Sequence, residues 1–342
     1  VTTDDGVAVL AQARAALDSG DLSSAKTLGE RATELLTVEC GAEHPDTANA
    51  QLLIASAHEQ SGNFAEARRA ATAALSTLDK YAAGSLRAVT ILRVRAEIAV
   101  ANLDRISGDL EAARTRMTRM LNSLEPGDPI AAGVHNVLGI VGKFTGRFDE
   151  AEAHYRRALQ LHEPNSLGMA SILHNLGGLE HERGRPEAGI PWAERGLEVR
   201  RNVRPPHHPD IAADLGALGS LYLSAGRLED AEKAFCQAIE IFTAEYEIAV
   251  VRGNLAHLQA RQGRIEQAEE NYRAALAGKR KALGDDHPDI AVTCHNLGVL
   301  LFDSGRQPEG RELVNRAHDL LTARFPADHP RVVAVARTLA TL

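Results

Sequence analysis

His174 and His181 stand seven residues apart, which puts two imidazoles on one face of a helix, with Glu182 next in sequence and His135 on an earlier segment. Imidazoles and a carboxylate gathered in that way could hold a metal ion or act as acid and base. The spacing speaks against a metal. A helix-borne ligand pair is usually three or four residues apart, and no His-Glu-x-x-His occurs. Isolated histidines on a helix face more often make hydrogen bonds, so neither a metal nor a cofactor is expected. Arg95, Arg105 and Lys143 form a second group. In an acidic chain they would make a local positive patch that holds carboxylates, from acidic side chains or a chain terminus, through charge-assisted hydrogen bonds. The sequence has no Gly-x-Ser-x-Gly, no phosphate-cradling loop ending in Lys-Ser or Lys-Thr, and no dinucleotide fingerprint after a strand. A non-catalytic chain is the expectation; an enzyme would need acid and base groups to converge near His174, His181 and Glu182.

The elements that carry these residues are set out by glycine. Gly20, Gly62, Gly108, Gly146, Gly184, Gly226, Gly263 and Gly305 each have a small residue seven positions before and another five after. The earlier set is Ala13, Ala55, Ala101, Gly139, Gly177, Gly219, Ala256 and Gly298; the later is Ala25, Ala67, Ala113, Ala151, Gly189, Ala231, Ala268 and Gly310. Twelve positions after the glycine the residue is again Ala or Gly, except at Met120. Small residues at fixed helical offsets let two helices approach closely, and the glycine between them supplies a turn with positive φ. Each unit therefore reads as a helix, turn, helix hairpin, and the class as all-α. Several units open with His-Pro-Asp, at His44, His208 and His287, each eighteen residues before a turn glycine. Proline suits a first helical turn and the acid suits the positive end of the helix dipole, so these histidines are expected at helix starts.

This framework resembles the tetratricopeptide repeat, over nearly the whole chain. Steps of 42, 46, 38, 38, 42, 37 and 42 residues between turn glycines are longer than the nominal unit of about 34, and with the His-Pro-Asp openings they resemble the kinesin-light-chain subtype. The resemblance implies a right-handed superhelical solenoid of about eight repeats over 1–342, with 330–342 as a capping or truncated next-repeat helix. It also implies that first helices line a concave surface. In that subtype, asparagines nine positions before the turn glycine contact the backbone of an extended peptide; the matching residues here are Asn175, Asn254 and Asn296. An amide suits that task because it both donates and accepts without reading sequence. The first four units lack this asparagine, which weights the expected site toward units five to eight. Asn136, His174 and His295 sit ten before the glycine, and Arg95, Asn102, Arg105, Lys143, His181, His257 and Arg261 are further addresses on the same surface. The lysine and asparagine pairing of chaperone-binding relatives is missing.

Composition bounds the partners. A formal charge of −8 disfavours nucleic acid and anionic membranes, both of which need a basic footprint. No apolar run approaches the roughly 20 residues of a membrane span, and the N-terminus has no signal segment. Cys40, Cys236 and Cys294 show no paired spacing, which fits a reducing compartment, so a cytoplasmic location is expected. A start at Val1 rather than Met suits a domain of something longer or a trimmed chain. Two local features depart from the repeat: an extended stretch before the third unit's first helix, and Arg204-Pro205-Pro206-His207-His208-Pro209, expected as a stiff extended connector. The sequence thus points to a scaffold or sensor that binds a protein or extended peptide segment, an acidic one at the positive patch. The alternatives are a receptor that closes on a small peptide or metabolite, and an enzyme built on the repeats.

Overall fold

The computed structural model describes residues 5–81 and 86–342, and among these the chain forms seventeen helices and no strand. Part of the extended stretch expected before the third unit falls on residues 82–85, outside the described residues. Contacts divide the chain into two compact units, Val1–Arg183 and Gly184–Leu342. The first holds α1 (Gly6–Ser19), α2 (Leu22–Glu39), α3 (Pro45–Gln60), α4 (Phe64–Leu78), α5 (Arg87–Ile106), α6 (Leu110–Asn122), α7 (Ala131–Phe144), α8 (Phe148–Leu161) and α9 (Leu167–Glu182). The second holds α10 (Pro186–Val203), α11 (Pro209–Ser224), α12 (Leu228–Ile241), α13 (Glu245–Arg261), α14 (Ile265–Leu283), α15 (Asp289–Asp303), α16 (Gln307–Thr322) and α17 (Pro330–Thr341).

All eight framework glycines have φ between 70° and 90°. At Gly226 the turn closes α11 when the N–H of Arg227 donates back to the carbonyl of Tyr222 at 2.8 Å, a geometry that needs a left-handed residue between them. Helix starts are specified as locally. Asp21 accepts from the N–H of Ser24 at 3.0 Å, and His44, His208 and His287 each use Nδ1 to accept from the N–H two residues on, at 3.1 to 3.2 Å. The histidines of the His-Pro-Asp openings are therefore helix caps, which satisfy a donor that the first turn cannot. The segment 204–209 departs from the sequence expectation. It is a tight turn, with the N–H of His208 donating to the carbonyl of Pro205 at 3.0 Å, because two prolines fix φ in the range that turns and extended chains share.

Packing follows the small residues. Every residue of the seven-before and five-after sets is buried. Where glycine stands at the seven-before position, an aromatic side chain can fill the space: a Cβ on Gly139 would lie 2.5 Å from Tyr155 Cε1, and one on Gly219 2.6 Å from Phe235 Cε1. Both rings are wholly buried. In the first unit each helix packs on the next, and the first helices of successive hairpins also touch, α1 on α3, α3 on α5, α5 on α7 and α7 on α9. The second unit repeats this with α11 on α13 and α13 on α15, while α17 covers α16 through Val332 and Val335. Each unit thus has a wall of side-by-side first helices backed by second helices.

Candidate functional site

The side chains on the walls are sorted by their distance in sequence from the turn glycine. The row at nine and ten before is not uniformly outward. Leu10, Leu52, Leu53 and Val137 are buried, because adjacent first helices pack along that line. Asn175 and Asn136 lie on the same seam in the first unit, where Asn175 Nδ2 donates to Asn136 Oδ1 at 2.8 Å. In the second unit Asn296 bonds to Tyr272, and its Oδ1 lies 3.1 Å from His295 Nδ1. The other ring nitrogen of His295 meets Thr338 Oγ1 on α17 at 3.0 Å. Asn254 differs: its amide makes no hydrogen bond among the described residues, and it lines a cleft of 360 Å³ with Gly216, Ala217, Ser220, Tyr246 and Val250. A cleft of 630 Å³ follows between α13 and α15, lined by His257, Arg261, Tyr272, His295, Asn296 and Asp303.

Electrostatics differ between the walls. On the second, Arg261 Nη1 donates to the carbonyl of Leu223 at 3.0 Å, and burial, then the Arg261 charge, hold His257 below the usual histidine range. Tyr246 donates to Asp289 at 2.8 Å, and burial together with that carboxylate pushes its phenol up to about 12. On the first wall, Lys143 is half-buried with Nζ 5.0 Å from the Phe144 ring centroid. Burial lowers its ammonium, with Glu182 opposing and Arg105 adding to the effect. Arg105 is half-buried, and its Nε has no acceptor among the described residues. Arg95 donates through Nη1 to Asn49 Oδ1 at 3.2 Å; Asn102 is half-buried nearby on α5. His174 and His181 are half-buried, and each has a polar or electrostatic partner. His135 meets α8, with its Nδ1 2.9 Å from Nδ1 of His154. Among the described residues no three His, Cys, Asp or Glu side chains gather as a metal ion would require, and no helix is long and apolar enough to cross a membrane.

A tetratricopeptide repeat model matches residues 7–80, 168–244 and 247–323, and a second model of the same repeat matches 132–164. The chain belongs to the tetratricopeptide repeat family. Among curated proteins this tetratricopeptide array is 25 % identical over 228 residues to the protein O-mannosyl-transferase Tmtc3 of Drosophila melanogaster, covering 65 % of the chain and 22 % of that protein. It is 26 % identical over 152 residues to the regulatory protein AfsR of Streptomyces griseus, covering 43 % and 14 %. Its kinesin-light-chain-like units are matched by protein kinesin light chain-related 1 of Arabidopsis thaliana, 25 % identical over 223 residues, covering 62 % and 36 %. The chain therefore spans between 14 % and 36 % of the length of these relatives. Two solved structures share its fold. One is a signal-transduction ATPase with a tetratricopeptide repeat sensor from Pyrococcus horikoshii, with a TM-score of 0.64, 14 % identity and coverage of 92 % of this chain and 49 % of that one. The other is the apo form of RapI, with a TM-score of 0.58, 17 % identity and coverage of 81 % and 98 %.

Sequence reasoning overlooked several residues on the walls of this tetratricopeptide chain. Tyr246 and Ser220 line the smaller cleft, and Tyr272 lines the larger. Arg14 and Asn49 meet Arg95 on the first wall. The signal was present in the glycine register. Asn49 and Arg95 stand thirteen before their turn glycines, and Arg14 and Ser220 stand six before theirs. Asn49, Arg95, Arg14 and Ser220 are all half-buried, so the rows at thirteen and six before are more accessible than the row at ten.

Proposed function

We propose that the chain is a non-catalytic protein-binding module whose second unit takes an extended segment of a partner along the wall formed by α11, α13 and α15. The observation that carries this reading is the uncommitted amide of Asn254 in the 360 Å³ cleft. An amide left without an internal partner beside Gly216 and Ala217 can donate to a passing carbonyl and accept from an N–H, and the small residues let a backbone come close. Asn296 and Asn175 are already engaged, so they shape the wall and Asn254 grips the segment. Kinship with AfsR and the fold shared with a repeat sensor on a signal-transduction ATPase support a place as the sensing part of a larger regulator. The expected location is the cytoplasm.

The test is capture from an array of extended peptides by the intact chain and by Asn254→Ala. Peptides retained by the first and lost by the second, with helicity unchanged, support the reading; an identical retained set defeats it. A second reading is favoured by the 630 Å³ cleft, whose volume is that of a small-ligand site. In that case a metabolite pool, and not peptides, would raise the melting temperature, and Asn254→Ala would leave the increase in place.

A further inference from the structure

In the second unit, charge clasps each second helix to the next except at the seam between α10 and α12. An arginine stands at the start of α12, α14 and α16, one residue after the turn glycine. Arg264 of α14 reaches Glu232 on α12 at 2.7 Å, and Arg306 of α16 reaches Glu269 on α14 at 2.7 Å. Both acids stand six residues after their own turn glycine. On α10 that address is Ile190, so among the described residues Arg227 of α12 has no carboxylate to meet across the seam. It pairs with Asp230 of its own helix at 2.7 Å and lies 4.3 Å from the Tyr222 ring centroid. The unclasped seam holds a cleft of 450 Å³, floored by Leu197, Leu215 and Leu218.

This cleft has two charged ends. Glu194 and Asp230 stand toward the N-terminal side of its lining on α10 and α12, and Arg201 and Lys233 follow further along the same helices. Each lining carboxylate has one oxygen in use. Glu194 Oε1 accepts from Tyr222 at 2.6 Å, Glu198 Oε2 from Arg195 at 2.7 Å, and Asp230 Oδ2 from Arg227 at 2.8 Å. The second oxygen of each accepts no hydrogen bond among the described residues. The side chains of Arg201 and Lys233 make no hydrogen bond or ion pair among the described residues.

We propose that the α10–α12 seam binds a small zwitterion with an apolar body, the chemistry of a free aliphatic amino acid or a short peptide. Its ammonium donates to the open carboxylate oxygens, its carboxylate accepts from Arg201 and Lys233, and its apolar part lies over the leucine floor. An anion or a cation alone leaves one end of the cleft unmatched. The volume is that of a small-ligand site. A bound zwitterion ties α10 to α12 as Arg264 and Arg306 tie the other seams, and so stabilises the unit by mass action. The seam lies among the second helices that back the wall, apart from the cleft of Asn254, and does not depend on the reading of that wall.

Calorimetric titration and thermal melting of the intact chain with L-leucine, Leu-Leu and Leu-Leu-Leu test this. Saturable binding and a raised melting temperature with at least one of them support the site, and the length that acts separates amino acid from peptide. The N-acetyl and C-amide forms of that probe, each lacking one charge, should bind about tenfold or more weakly. Replacing Arg201 and Lys233 together by Gln should cause a similar loss with helicity unchanged, since both side chains are exposed. If that double variant loses helical signal, Glu198→Gln carries the same comparison at the other end of the cleft. Absence of saturation with all three zwitterions, equal binding of a capped form, or undiminished binding by the folded variants overturns the proposal. Asn254→Ala should bind the zwitterion as the natural chain does, so failure at this seam and failure of peptide capture on the wall are told apart.

Discussion

Replacing Gly219 with Ala should destabilise the second unit, although alanine is the better helix former. A Cβ there would lie 2.6 and 2.7 Å from Phe235 Cε1 and Cδ1 and 3.1 Å from its Cζ, well inside van der Waals contact. The ring is fully buried and cannot swing into solvent. Overpacking of this kind costs about 1 to 3 kcal/mol, and the propensity gain of Ala over Gly returns about 0.5 to 1 kcal/mol. The net loss is therefore about 1 kcal/mol, within a range of about 0 to 2.5 kcal/mol. Gly253 in the same unit is the control, because its Cβ would meet only Ala275 Cβ at an ordinary 3.9 Å. Gly253→Ala should accordingly stabilise by about 0.5 to 1 kcal/mol. Urea denaturation followed by circular dichroism reads both, and opposite shifts of midpoint are expected. Adding Phe235→Leu to Gly219→Ala should recover part of the loss through non-additivity. If both alanines stabilise, or if the double variant is simply additive, the glycine and ring do not interlock as described.

His208→Ala should cost about 1 kcal/mol by removing the Nδ1 cap of α11, read from the same denaturation curve; an unchanged midpoint would show the cap to be idle. Asn296→Ala should cost about 1 kcal/mol because it strips a partner from buried Tyr272, while Asn254→Ala should leave stability unaltered; equal losses would contradict the assignment of the two amides. Burial first, then His154 and Arg157, hold His135 at about 4 against an ordinary 6.5. A depressed histidine means that the unfolded chain binds more protons between those values, so stability is full above pH 6.5 and falls as pH drops toward 4. Discounted for solvent screening, the loss is about 1 kcal/mol. Comparing urea midpoints of the natural chain and His135→Gln at neutral and mildly acidic pH isolates it, and a parallel decline in both would refute the assignment.

The fold was legible because its rules are local. A turn that needs positive φ and a helix contact that tolerates only Ala or Gly both restrict one position at a time, so the eight glycines and their flanking small residues could be located without partners. The helix caps at His44, His208 and His287 were legible for the same reason. The walls were less so. The sequence assigned one outward role to Asn175, Asn254 and Asn296 alike, yet neighbouring hairpins bring in Asn136 for the first and Tyr272 for the third, which also meets its own sequence neighbour His295, while Asn254 has no partner among the described residues. The meeting of Arg14 with Asn49 and Arg95 joins three hairpins and was hidden for that reason. The connector at 204–209 misled in another way, since proline stiffness fixes φ while leaving ψ to choose between an extended run and the turn that forms.

The surroundings of Gly226 have a consequence for chemical synthesis. Its φ is 77° and nothing lies within 4 Å of the position where an L-residue's Cβ would stand; glycine is kept there for backbone handedness and not for room. A D-amino acid prefers that half of conformational space. Installing D-alanine at Gly226 by ligation of synthetic segments should restrict the unfolded chain and firm up α11 and α12 by about 0.4 to 1 kcal/mol. L-alanine, held against its own preference, should loosen the same joint.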